Sequence, residues 1–252
     1  MKKVMTLILT VFGLLAFTSL GYAASISDTK HNLSSAGTQA IKGDVAEICV
    51  YCHTPHGGKM AIADDTGPLW NRNATAGPFT PYASYTLDAS TTGAPTSVSK
   101  ACLSCHDGTV GVNQMINRPG SGSGSNPADN ANQKVGGPNA TNNMALLGTD
   151  LRDDHPVSMI YASAKSYGTG AAMGTDSHAA GFTPATLSGT KPVVVSGSVT
   201  LPLYGADTAS GKVECGSCHD PHEARSFASG SSVAFLRTMN TASALCLTCH
   251  LK

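Results

Sequence analysis

An irregular fold, mostly coil with short α-helices and a minor β-hairpin, is the class that the sequence predicts, and three observations lead to it. Aromatic residues make up only 6% of the chain and charged residues 13%, while glycine alone contributes 27 positions. Periodic apolar stretches are scarce, so the chain buries little of its own side-chain surface and the expected core is something other than packed side chains. The eight cysteines fall into four identically built pairs.

The first element in the chain is a leader. Lys2 and Lys3 precede an apolar run from Val4 to about Leu20 that ends in Gly21-Tyr22-Ala23, a small-x-small cleavage pattern. Residues 1–23 therefore read as a signal peptide cut after Ala23, which predicts export. The competing reading is an uncleaved anchor, because the run is close to the roughly 17 residues at the short end of spanning helices. The 252 residues less these 23 leave a mature chain of 229, and the 16 Lys and Arg less Lys2 and Lys3 leave 14 against 16 Asp and Glu. No basic stripe argues for a nucleic-acid partner.

Three short helices and one hairpin are expected after that. "AGTQAIKGDVAEICVYCH" brings Ala40, Ile41, Val45 and Ile48 to one side of a helix. "TSVSKACLSCH" and "TASALCLTCH" read as similar helices, with Thr96 or Ser97 and Thr241 as caps. "RPGSGSGSNPADNANQ" reads as a Gly/Ser/Asn loop, and the β-branched runs of "KPVVVSGSVTLPLYG" form a hairpin turning at Ser196-Gly197. Trp70 is the only tryptophan and reads as a packing residue. Asp64 to Gly67 lacks the continuation of a calcium loop, and the sequons at Asn73 and Asn139 are common by chance.

The chemistry lies in the cysteine pairs. Cys49/Cys52, Cys102/Cys105, Cys215/Cys218 and Cys246/Cys249 are each C-x-x-C, and each is followed at once by histidine: His53, His106, His219 and His250. C-x-x-C-H is the attachment signature of c-type haem, in which two thiols add across the porphyrin vinyl groups and the adjacent histidine ligates iron. Zinc sites and redox-active dithiols also use C-x-x-C, but four copies from four pairs favour haem. Four covalently bound c-type haems are thus the expected cofactors, and the chain of haems is the expected core. All eight thiols are then consumed. Residues 24–252 form one tetrahaem domain with a haem-free, loop-rich insert over 107–214.

Five further histidines compete for the four remaining axial positions: His31, His56, His155, His178 and His222. Methionine is the rival ligand and raises the potential relative to histidine; the mature chain offers Met60, Met115, Met144, Met159, Met173 and Met239. Because histidines cover the need, bis-histidine ligation at all four irons is favoured, with His31, His56, His155 and His222 as distal ligands. His178, in the Gly/Ala-rich "GTDSHAAG", reads as a solvated surface residue.

His56 and His222 each stand three residues after a motif histidine, in "CHTPH" and "CHDPH". So short a segment cannot circle a porphyrin to reach its far side, so each must bind a different haem from its neighbour. Such a segment ties two irons together, which suits electron hopping. The function expected is electron transfer without bond-making chemistry, and not an enzyme. A multihaem reductase is the competing class, but it needs an open iron, and no motif ends in the lysine often found there.

The segments "TKHNLS", "CVYCHTPHGG", "PLWN", "CLSCHDGTVG", "DDHPVS", "ECGSCHDPH" and "LCLTCH" follow one another in the order found in tetrahaem c-type cytochromes of metal-reducing bacteria. The chain resembles in particular the outer-surface cytochromes of the OmcE/OmcS type, which polymerise into extracellular filaments. The resemblance implies low-spin bis-histidine haems in alternating stacked and T-shaped pairs, little secondary structure, and one axial histidine donated by the next subunit. That donor corresponds to His56. The partners implied are further copies of the chain, head to tail, with upstream and downstream redox proteins or extracellular acceptors, at the outer surface or outside the cell. The alternative is a soluble periplasmic shuttle in which His56 serves a second haem of its own chain.

Overall fold

The computed structural model describes residues 26–58, 69–72, 77–84, 87, 89–90, 93–120, 125–140, 144–163, 181–222 and 235–251. The leader over residues 1–23, Met60, residues 64–67, Asn73, Thr141, Met173 and His178 lie outside them.

Two antiparallel sheets correct the expectation of a mostly coil chain with one hairpin and a core made by cofactors alone. Strands β2 (Ala185–Ser188), β3 (Lys191–Ser196) and β4 (Val199–Pro202) form a meander in the order β2-β3-β4. The β3–β4 turn sits where the valine run predicts it, with Gly197 at φ +58°, a left-handed conformation that glycine adopts without strain. The third strand was not foreseen because Ala185–Ser188 has three exposed residues of its four and so no alternating apolar signal. Strands β1 (Met159–Ile160) and β5 (Lys212–Val213) form the second sheet, Met159 opposite Val213. A two-residue pairing across so long a loop leaves no local pattern to read.

Side chains supply two small cores, each abutting a cysteine motif. Tyr161, Val194, Leu203 and Val213 make one, with Cys249 packed against it. Val45, Tyr51 and Met115 make the other, beside Cys52. Tyr51 is held twice, accepting from the Val45 amide and donating to the Val45 carbonyl, both at 3.0 Å. The apolar atoms therefore gather where the motifs need support.

The helices are shorter than the sequence suggests. Helix α1 (Ser97–His106) forms as expected, but Thr96 caps nothing with its hydroxyl, which donates to Glu214 instead. Helix α2 is the single turn Cys215–Cys218, and α3 spans Ala244–Cys249, entered through left-handed Ser243 rather than capped by Thr241. Ahead of the first motif the expected helix is replaced by bends, with only the 3-10 turn Cys49–Tyr51. Gly37 and Gly43 each approach neighbouring backbone or the Tyr51 ring too closely for a Cβ, a contact that no regular helix would make. Among the described residues no helix is long and apolar enough to cross a membrane.

The register of β3 is testable. Val194 is fully buried whereas Val195 is 41% exposed. Val194→Ala should cost about 2 kcal/mol in equilibrium denaturation, and Val195→Ala no more than about 0.5 kcal/mol.

Candidate functional site

Each motif is presented by a short helical turn whose last backbone amide fixes the histidine. The His53 amide donates to the Cys49 carbonyl at 2.8 Å, His219 to Cys215 at 2.9 Å and His250 to Cys246 at 2.9 Å. Neighbouring motifs adjoin in chain order. Cys102 and Cys215 share a thiol hydrogen bond, Cys105 acts electrostatically on Cys52, and Cys249 on Cys218. Burial pushes Cys52 up to about 12 and Cys218 up to about 11, and raises Cys249 as well. The hydrogen bond to Cys215, with burial, holds the Cys102 thiol well above its ordinary range. The same hydrogen bond to Cys102 lowers Cys215, and among the described residues no group of three or more His, Cys, Asp or Glu is placed to hold a bare metal ion.

The histidines come together in pairs. His53 and His222 lie with ring centres 6.0 Å apart and planes 19° from parallel. His106 and His31 are 6.2 Å apart. Two imidazoles bonded at roughly 2.0 Å to one metal from opposite sides have ring centres about 6 Å apart. Direct face contact is closer, as His31 itself demonstrates by stacking on Phe235 at 4.3 Å and 12°. The spacing of both pairs therefore fits a haem iron between the rings.

Tautomers agree with that fit. His106 Nδ1 lies 2.7 Å from the Ala145 carbonyl, His31 Nδ1 3.1 Å from the Pro221 carbonyl and His155 Nδ1 2.9 Å from the Pro156 carbonyl. A carbonyl only accepts, so each Nδ1 carries the proton and each Nε2 keeps its lone pair for a metal. Burial lowers His31 to about 4, so its ring is neutral at ordinary pH, the form that ligates.

His155 and His219 line one open cleft with Cys215, Cys218, Leu103 and Glu214; its empty volume, solvent side included, is about 870 Å³. His250 touches Phe182 at 4.7 Å, and the strand-like segment 181–183 pairs with 249–251. His56 is brought to none of the motif histidines among the described residues. Its backbone carbonyl is clamped by Thr54 Oγ1 at 3.0 Å and Asn117 Nδ2 at 2.8 Å, and the residue is exposed. Of the methionines, Met115 is buried in a core cluster and Met144 is 89% exposed.

Several residues escaped the sequence reading. Asn71 is fully buried and joins the first motif to the second loop: its amide donates to Cys52 O, and its side chain to Val50 O and Asn117 O. Trp70, which the sequence already marks as a packing residue, donates its Nε1 proton to Ser104 Oγ at 3.2 Å and meets His53 edge-on. Arg72, 1% exposed, reaches the Ser104, Gly111 and Val112 carbonyls, while its Nε is buried without a partner. An orphaned buried guanidinium nitrogen suits an anionic group such as a macrocycle carboxylate. Glu214, also 1% exposed, accepts from Thr96 Oγ1 and Ser158 Oγ beside the third motif. A charged residue in a chain so poor in charge was the available signal.

Comparison with protein-family models and with curated proteins gives no match.

Burial raises the Glu214 carboxyl above its ordinary 4.5. An acid raised on folding contributes its stability below the unfolded value and loses it as pH climbs through the folded one. Denaturation of Glu214→Gln against wild type should therefore shift in favour of the variant as pH rises from roughly 4 to 7.

Proposed function

We propose that the chain is an electron-transfer protein carrying four covalently attached c-type haems, and that it assembles with copies of itself. The observation that carries this is the pairing of motif histidines with histidines outside the motifs, at 6.0 Å and 6.2 Å. When bound, haem supplies an iron that alternates between ferric and ferrous states. The four C-x-x-C thiol pairs would attach the macrocycles. His53 with His222, His106 with His31, and His219 with His155 would hold the irons of the first three.

The residues of the chain then act by placement. The Pro221 and Ala145 carbonyls orient His31 and His106 and raise their basicity as ligands. Two neutral imidazoles on an iron leave no open coordination position, which disfavours substrate chemistry and suits outer-sphere transfer. Adjacency of the motifs in chain order supplies short steps between neighbouring centres.

His56 supports the polymer. It is exposed on a backbone held by Thr54 and Asn117, and a link of three residues to His53 is too short to carry it to the far side of the same macrocycle. Donated to the fourth motif of a neighbouring copy, it would make a head-to-tail contact that does not close, which grows a fibre. Exported, outer-surface or extracellular protein is the setting in which such fibres reach external acceptors.

Produced by a host with haem-attachment machinery, the protein should contain four haems by pyridine haemochrome assay and show only low-spin iron. His222→Ala should convert one iron of the four to a high-spin, carbon-monoxide-binding form. His56→Ala should do the same at the fourth motif and abolish fibres in electron micrographs. A haem-free chain would overturn the cofactor reading, and undiminished fibres from His56→Ala would overturn the bridging role.

A further inference from the structure

Arg72 is the most deeply buried cation among the described residues, at 1% exposure. No ion pair joins it to any carboxylate among those residues, although Asp44, Asp129, Asp150 and Asp220 each have a cationic partner. Asp107, which caps the end of α1, accepts from the Thr109 amide and hydroxyl. Three backbone carbonyls satisfy the two terminal nitrogens: Val112 at 2.9 Å, Gly111 at 2.9 Å and Ser104 at 3.3 Å. Carbonyl dipoles solvate the guanidinium without neutralising it. An ion held that way is costly to desolvate, and its field is weakly screened because water is excluded.

The position of that field is informative. Arg72 follows Trp70 and Asn71, which brace the first motif, and its guanidinium holds the Ser104 carbonyl, inside the second. The buried thiol of Cys52 senses both Arg72 and Cys105. The cation therefore lies between the first two C-x-x-C-H turns. The third motif has the opposite arrangement, with the Glu214 carboxyl buried next to Cys215.

We infer that Arg72 is a potential-setting residue: its buried charge, which no carboxylate side chain among the described residues neutralises, stabilises an electron arriving on the irons of the first and second motifs and so makes that half of the haem chain the easier half to reduce. This rests on the tetrahaem reading proposed above. Each step it describes is a one-electron reduction of ferric to ferrous iron, with the electron supplied by an external one-electron donor. Arg72 touches neither electron nor iron and acts through its field.

The test is a potentiometric titration of the wild type, Arg72→Gln and Arg72→Lys, with dithionite as reductant and ferricyanide as oxidant. Each protein is first assayed for four haems. Arg72→Gln should lower two of the four midpoints, each by about tenfold in the one-electron equilibrium constant, or about 59 mV. Arg72→Lys, which keeps the charge and loses the fork, should stay near wild type. A fully loaded Gln variant with unshifted midpoints would overturn the inference, as would a Lys variant shifted as far as Gln, since the effect would then be packing. If Gln fails to load haem, stepwise reduction of the wild type followed by NMR decides: the irons of His53 and His106 should fill first, and the reverse order overturns it. A wild-type chain without haem sinks the tetrahaem reading, a result distinct from four haems with unshifted midpoints.

Discussion

The haem reading proposed above needs imidazoles presented in pairs, and one short segment of this chain orders two such pairs. Asp220-Pro221-His222 places His222 opposite His53, while the Pro221 carbonyl turns His31 toward His106. The segment is itself pinned. Asp220 accepts from Arg237 Nη1 at 3.0 Å and from the His222 amide at 3.1 Å, and its own amide donates to Phe235 O at 2.8 Å. Phe235 in turn stacks on His31. Loss of this small network would loosen the first and second motifs together, although neither motif contains any of its residues.

The sheets serve the same end at the other motifs. Strand β5 runs directly into Glu214 and Cys215, so its pairing with β1 fixes where the third motif starts. Ser158 reinforces the junction: its amide donates to Val213 O at 2.7 Å and its hydroxyl to Glu214 at 3.0 Å. Gly216 then brings α2 against its neighbours so closely that an added Cβ would collide with the Tyr204 hydroxyl and lie 2.9 Å from Val98 Cγ1. Regular structure in this chain is sparse but is concentrated at the cysteine pairs. That explains how a sequence with so few aromatic residues still builds side-chain cores: it builds small ones, next to the turns that must not move.

The legible part of the site was the part written in local spacing. The four C-x-x-C-H units and the bar on His222 joining His219 are consequences of chain length, and α1 and the β3–β4 turn follow from local composition. Which histidine meets which was not legible, because His31 and His106 are brought together by a carbonyl from Pro221, 190 residues from His31. The expected first helix failed for a related reason. Ala40, Ile41, Val45 and Ile48 have helical spacing, but the Ser35 amide bonds Val45 O and the Gly43 amide bonds Leu33 O, so these backbone groups are spent on a fold-back. Arg72 and Glu214 were passed over because a single charged residue has no pattern; only burial gives it meaning.

The count of histidines bears on how such a molecule extends beyond itself. On the ligation proposed above, His222, His31 and His155 would serve the first three motifs, and the fourth would have His56 or His178 left to draw on. His178 stands three residues before Gly181, whose carbonyl accepts from Leu251, next to His250. His56 is attached to the first motif and exposed. Ligation of the fourth iron by His178 would complete a self-contained carrier, whereas ligation by His56 of a neighbouring copy would complete a polymer. The same four haems then yield a monomer or a fibre according to which of two imidazoles is present at higher effective concentration. A tethered ligand has the advantage unless subunits are already held side by side. Assembly on a His56 bridge therefore requires a docking surface that forms before the bond does, so that coordination locks a contact rather than creating it.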